Sequence, residues 1–445
     1  MVVGMKTERA AWRLILVTFA VSWAVRLVLA WFTGSFHDFD RRDMERVALS
    51  LAHTGTMADV LAPGVPSAWF TPGFVLMLGG IFRLFGDGAL GEAVKIISCT
   101  AVSSLRCALT VWLASRFGLS RAAIIAIAAL SVFWIGGLNT ELQGDWDAPY
   151  TACALILLVW FTKANPFEQR TPQRALLIGA AWGLGAYWNP SLLAVLGGFM
   201  VRDFLIGGRH DLARFSRQSA CLVAGLFVVL LPWGIRNRIT MGSWIFTRNG
   251  LGYNLSIAYR DGAHWSEPVN NHPEALMPGR PPGSEVSPFP FFNLSLRPEA
   301  LQLGETEWDR MHMRRGLRWI AAHPSRSAVL FAEHVFYFWF PPGPGFYRLF
   351  EARTWWPYTI ARWILPLLAL AGWLRLRQLA PPVAQITATI VLTFPLVYYV
   401  VSWSSRYRMP IEWVLVFLAG VALGGAWDVF CERRHQHSTG GPSPL

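Results

Sequence analysis

The residues of this chain whose types and spacing could do chemistry lie in two loops rich in acids and in one arginine pair near the far end. Asp40 and Asp43 fall in "FDRRDMERVALSLAHTG" (39–55), directly after the first long apolar run. On a helix, residues three apart share a face. Met44, Val47, Ala48 and Leu51 recur at helical spacing, so the segment reads as an amphipathic helix resting on the outer leaflet. A carboxylate placed there suits a general base that takes a proton from an acceptor hydroxyl. The alternative is that these acids pair with Arg41, Arg42 and Arg46 on a solvated helix. The second loop, "GLNTELQGDWDAPYTACALILLVW", places Glu141, Asp145 and Asp147 where an apolar helix begins, a position at which an acid also serves as a simple cap. In "SRYRMPIEWVLVFLAG", Arg406 and Arg408 flank Tyr407 just before Pro410 opens the last apolar run. Guanidiniums at the outer headgroup level run against the positive-inside rule. The phosphate or pyrophosphate of a lipid carrier accounts for them through paired hydrogen bonds. Contact with anionic phospholipid, or pairing with Glu412, is the alternative.

The elements that must position these residues are apolar helices. Of the 445 residues 53% are hydrophobic and 15% charged, and mean hydropathy is +0.36, as expected of a polytopic all-α membrane protein. Helix-length apolar runs occur at 12–32, 94–115, 121–138, 148–162, 174–189, 191–206, 219–236, 357–374, 383–401 and 410–430. Two shorter runs, 72–85 and 326–340, suit helices lying in the interface. With those two left on the surface, the basic loops at 115–121, 162–174, 202–217 and 375–378 all fall inside with both termini. The expectation is therefore ten spans. An N-terminal module covers 1–236 and includes the first outer loop, 33–93; an outer soluble segment covers 237–356; C-terminal spans cover 357–430 and a cytoplasmic tail 431–445.

The formal charge of +12 is dispersed in short clusters between apolar runs, which reads as topology signal and headgroup contact and argues against nucleic acid. Five cysteines lack CxxC or metal spacing, and neither a disulfide framework nor a zinc site is supported. The first apolar run is too long for a signal peptide and reads as an uncleaved helix. Five histidines between His264 and His334 lack mutual metal spacing and read as structural. Arg26 and Arg106 fall inside apolar runs, where they either favour a transport path for lipid-linked sugars or snorkel to the headgroups. A non-catalytic scaffold of a polysaccharide assembly system is a further alternative.

In order along the chain, "FDRRDMERVALSL", "TPGFVLMLGGIFRLFG", "GDWDAPYTACALILL", "GLGAYWNPSLLAVL", "PWGIRNRITMGSW", "TRNGLGYNLSIA", "GETEWDRMHMRRGLRWIAAHP" and "SRYRMPIEWVLVFLAG" resemble GT-C glycosyltransferases. The chain is most similar to the bacterial family 39 proteins, alongside protein O-mannosyltransferases and the lipid A aminoarabinose transferase. The resemblance implies a GT-C-like helix bundle with interfacial helices in the first outer loop and a small outer, periplasmic domain. It implies a bacterial inner-membrane enzyme, active on the periplasmic face, that transfers a sugar from a polyprenyl-phosphate donor to a hydroxyl of a glycan, lipid or protein with inversion. Carried over residue by residue, Asp40, with Asp43 beside it, is the general base. Arg406, Tyr407 and Arg408 take the donor phosphate. Asp147 positions the acceptor or holds a divalent cation, which some relatives use, and Arg248 and Asn254 shape the acceptor side. The chain departs from its relatives at Met44, where they usually carry an aromatic, and at Asp147, where they often carry Glu.

Overall fold

The computed structural model describes residues 2–37, 43–134, 136, 138–144, 146–163, 166–264, 297–341 and 355–439. Asp40 and Asp145 lie outside the described residues. Among those described, the regular elements are helical, apart from one isolated β-bridge between Ala58 and Pro66. In chain order the α-helices are α1 (Val2–Phe32), α2 (Asp43–Thr54), α3 (Pro72–Phe85), α4 (Ala89–Arg116), α5 (Arg121–Phe133), α6 (Leu138–Gln143), α7 (Ala148–Lys163) and α8 (Pro172–Ala186). They continue with α9 (Leu192–Asp203), α10 (Leu212–Met241), α11 (Leu251–Ala258), α12 (Arg297–Ala322), α13 (Pro324–Trp339), α14 (Trp355–Leu379), α15 (Pro381–Thr393) and α16 (Met409–Thr439).

Each of the ten expected apolar runs contains a helix, but they are not of equal reach. Six stretches are long and apolar enough to cross a membrane: Arg9–Phe32, Ala89–Arg116, Leu212–Met241, Thr359–Leu379, Pro381–Val400 and Met409–Glu432. The helices of the other four runs, α5, α7, α8 and α9, have 13, 16, 15 and 12 residues. Those lengths fall short of the roughly 20 residues that cross a hydrocarbon core. The chain is an all-helical integral membrane protein, and six spans, not ten, follow from helix length and composition. Large apolar side chains exposed along α1 and α10, among them Leu16, Val28, Phe227 and Val228, are what lipid-facing helices carry.

The core has two centres. The larger is built around α16, whose residues from Met409 to Val421 are almost entirely buried among α4, α5, α7 and α14. The smaller joins α2 and α3 to α11 and α12 through Met44, Val47, Leu78, Tyr253 and Trp308. This corrects the sequence reading of the first outer loop. The apolar stripe of α2 does not rest on lipid: Met44, Val47 and Ala48 are at most 3% exposed and pack among protein side chains. α3 buries Phe74, Val75 and Leu78 against the protein and leaves Leu76, Leu84 and Phe85 exposed, so one side of it keeps the apolar surface expected of an interfacial helix.

Candidate functional site

Where the two centres meet, a cavity of about 320 Å³ opens, and besides Met44, Trp69 and Phe70 four parts of the chain wall it. The first wall comes from the loop before α7, which supplies Trp146 and Asp147. The second is the tight turn between α8 and α9, which supplies Asn189. That turn is held from outside: the Gly73 amide donates to Tyr187 O (2.9 Å) and Thr71 Oγ1 to Trp188 O (3.0 Å). A Cβ at Gly73 would stand 2.7 Å from Tyr187 O, so the "TPG" that opens α3 needs its glycine for this approach. Trp188 completes the lock by stacking on Tyr150, with ring centroids 4.9 Å apart.

The third wall is the loop 247–250 with the start of α11, which supplies Arg248, Asn249, Tyr253 and Asn254. The amide of Asn249 donates to Ala68 O (2.8 Å) and Trp233 Nε1 donates to Thr247 O (2.8 Å). Asp309 of α12 satisfies first-turn amides of α11, including Tyr253 N at 2.8 Å. The fourth wall comes from the end of the span before α16 and the turn that follows it: Tyr398, Arg406 and Tyr407. Tyr398 stacks on Tyr407 (4.5 Å), and the Arg406 guanidinium sits 3.6 Å over the Trp146 ring, joining the first wall to the fourth.

Of the residues singled out from sequence, Asp147, Arg248, Asn254, Arg406 and Tyr407 line this one cavity. Arg408 does not. It is fully buried, donates through Nε to Glu412 Oε1 (3.1 Å) and through Nη1 to Trp339 O (2.7 Å), and its Nη2 lies 3.1 Å from the same Glu412 oxygen, so it sits in a buried ion pair and not in the place expected for a phosphate ligand. Asp43 opens α2, whose next residue, Met44, lines the cavity; the Asp43 side chain and all of Asp40 lie outside what is described. Arg26 and Arg106 neither snorkel nor line the cavity: they are 0% and 5% exposed and both bind Glu141.

Asn189 and Tyr398 were not singled out from sequence. Asn189 Nδ2 donates to Asp147 Oδ2 (3.2 Å) and also lies 3.2 Å from the Tyr398 hydroxyl, while its Oδ1 accepts Ser191 N (2.9 Å). The one available signal was a lone polar residue before proline in an otherwise apolar run, "YWNPSLL". Asp147 Oδ2 also accepts Thr151 Oγ1 (3.0 Å). Burial pushes the Asp147 carboxyl above its ordinary value, and the Thr151 hydrogen bond, the Arg248 charge and the Asn189 amide pull it part of the way back.

The arrangement can hold an anion and a polyhydroxylic body together. A guanidinium backed by an aromatic ring receives the anion, three asparagine amides and three tyrosine hydroxyls offer hydrogen bonds, and Trp69, Phe70 and Trp146 offer flat apolar surface. A hard divalent cation takes six or more oxygen ligands. Among the described residues Asp147 is the one carboxylate in the lining, and no group of three or more His, Cys, Asp or Glu could hold a metal ion. The chain matches no known family model, and no curated protein matches it in sequence.

Proposed function

We propose that this protein is a membrane glycosyltransferase of the GT-C kind, moving a sugar from a polyprenyl-phosphate donor to a hydroxyl acceptor. The observation that supports this most is the meeting of Arg406 and Asp147, from residues 259 positions apart (406 − 147), in one aromatic- and amide-lined cavity of a membrane protein. In this reading Arg406 receives the donor phosphate and stabilises the negative charge that grows on it as the anomeric C–O bond breaks. The acceptor oxygen attacks the opposite face of that carbon, so the configuration inverts. The acceptor proton passes to Asp40 or Asp43, which precede the cavity-lining Met44 in the chain. Asp147, oriented by Asn189 and Thr151, fixes an acceptor hydroxyl, and Arg248 and Asn254 bound the acceptor side. The orientation, with both termini inside and the cavity at the outer face, belongs to the same proposal.

The test is transfer by the purified protein in lipid nanodiscs supplied with polyprenyl-phosphate-linked sugars and cell-envelope acceptors, with products read by mass spectrometry. Wild type is expected to release free polyprenyl phosphate. Arg406→Ala loses a charge-assisted contact of about 1.5–3 kcal/mol and slows transfer about 10- to 150-fold. Full turnover by Arg406→Ala and by Asp40→Asn/Asp43→Asn would overturn the assignment. A transporter of lipid-linked sugars is the second reading: Arg26 and Arg106 are buried within helices, as it needs, but they pair with Glu141 and do not line the cavity.

A further inference from the structure

Three guanidiniums and two carboxylates that the proposed reaction does not use lie buried inside the bundle. Glu141 of α6 accepts Arg26 of α1 on one carboxylate oxygen (2.8 Å) and Arg106 of α4 on the other (2.7 Å), and no member of the trio is more than 5% exposed. Glu412 of α16 accepts Arg408 on Oε1 and Trp134 Nε1 on Oε2 (2.9 Å), and it lies near enough to Arg106 for their charges to interact. Ions this deep are poor stabilisers, because desolvation offsets their attraction and apolar side chains of the same volume do at least as well. Their value is in fixing one conformation over others.

The chain shows what is fixed. Glu141 stands six residues before Asp147 (147 − 141). Between them Gly144, at φ 67°, presses on α4, where a Cβ would stand 3.3 Å from Cys99 Sγ, and Cys99 donates to its carbonyl at 3.6 Å. Arg408 directly follows Arg406 and Tyr407. The two loops that face each other across the cavity therefore leave one buried ionic cluster, and they meet again where Arg406 covers Trp146.

We propose that Glu141 and Glu412 are positioning residues, whose buried ion pairs hold Trp146–Asp147 against Arg406–Tyr407 and so set the spacing of carboxylate and guanidinium in the cavity. The meaning of that spacing rests on the transferase reading, but its test needs no turnover. Hydrogen–deuterium exchange is followed by mass spectrometry on the full chain in lipid nanodiscs, comparing wild type with Glu141→Gln, Glu412→Gln and Asp203→Asn. The last breaks another buried pair, Arg170–Asp203 (2.9 Å), outside the cavity lining. Each glutamate variant is expected to speed exchange about tenfold in both 146–151 and 406–409, while Asp203→Asn leaves both segments as in wild type. Glu141→Asp, which keeps the charge and shortens its reach, loosens the same two segments less and serves if Glu141→Gln does not fold. Unchanged protection of either segment in the glutamate variants, or acceleration spread evenly over the chain, overturns the proposal. Absence of sugar transfer by wild type overturns the transferase and leaves the exchange result standing.

Discussion

Replacing Asn189 with leucine should move the acidic limb of the transfer reaction to higher pH, and the size of the effect follows from the geometry at Asp147. Burial raises the Asp147 carboxyl, and three neighbours oppose it: Thr151, Arg248 and Asn189. The Asn189 amide reaches Oδ2 at 3.2 Å, at the long end of the hydrogen-bond range, so its contribution is taken at the lower bound for a bond to a charged group, about 1.5 kcal/mol. Its loss removes that preference for the ionised form and raises the carboxyl further. In the proposed reaction Asp147 acts as the anion, so Asn189→Leu should lose activity at acid pH, by about tenfold for about 1.5 kcal/mol, keep more of it on the alkaline plateau, and move the acidic limb to higher pH. Arg248→Gln should shift it in the same direction. Rate against pH for the three proteins, in nanodiscs with saturating donor, is the assay. A uniform fall in rate with the limb unmoved would show that Asn189 does not act on the Asp147 proton. Stability gives an independent check. A carboxyl whose folded pKa exceeds its unfolded one binds more protons when folded, so stability falls as pH rises from the ordinary Asp value through the folded one. Asp147→Asn removes that penalty and should raise the thermal midpoint at pH 7 while abolishing transfer.

Three further outcomes follow from the supports of the site. Arg408→Ala leaves Glu412 charged and buried, which costs about 3–5 kcal/mol, and should be seen as a steep loss of folded protein on size exclusion, unlike Arg406→Ala. Gly73→Ala forces a Cβ to within 2.7 Å of Tyr187 O and should lower stability by about 1–3 kcal/mol while displacing Asn189, so the acidic limb should also move. Asp309→Ala uncaps α11 and should lower stability by about 1–2 kcal/mol, with weaker acceptor binding and donor binding unchanged by calorimetry.

How far sequence reached the site is clearest at "SRYR". Two arginines two residues apart looked equivalent, and pairing with Glu412 stood as the alternative for either. The turn at Ser405–Tyr407 is 3₁₀, and at three residues per turn positions two apart diverge by roughly 120°, so one guanidinium faces the cavity while the other points into the bundle. Glu412 is four residues from Arg408, one helical turn into α16, and takes the inward one. The backbone form of the turn decided this, and residue types do not specify it. Asn189 was invisible for a different reason: its role exists only because α3 clamps the turn that carries it, a contact across more than a hundred residues.

The fold divides the same way. Hydropathy located a helix in every apolar run because spacing and length are local properties of the chain. It misjudged what those helices face, since a lipid tail and a leucine core are equally apolar and one stripe of side chains suits both. That ambiguity turned α2 into a lipid-resting helix on paper, whereas its stripe closes on α3, α11 and α12. It also bears on the site. A helix resting on lipid could slide in the leaflet and take Met44 with it, but a helix locked between α3 and α12 holds the cavity rim at a fixed distance from Arg406. If that is so, loosening the lock should loosen the rim. Leu78→Ala, which empties a fully buried position between these helices at about 2–5 kcal/mol, should raise the KM for donor or acceptor in the surviving folded protein more than it lowers kcat.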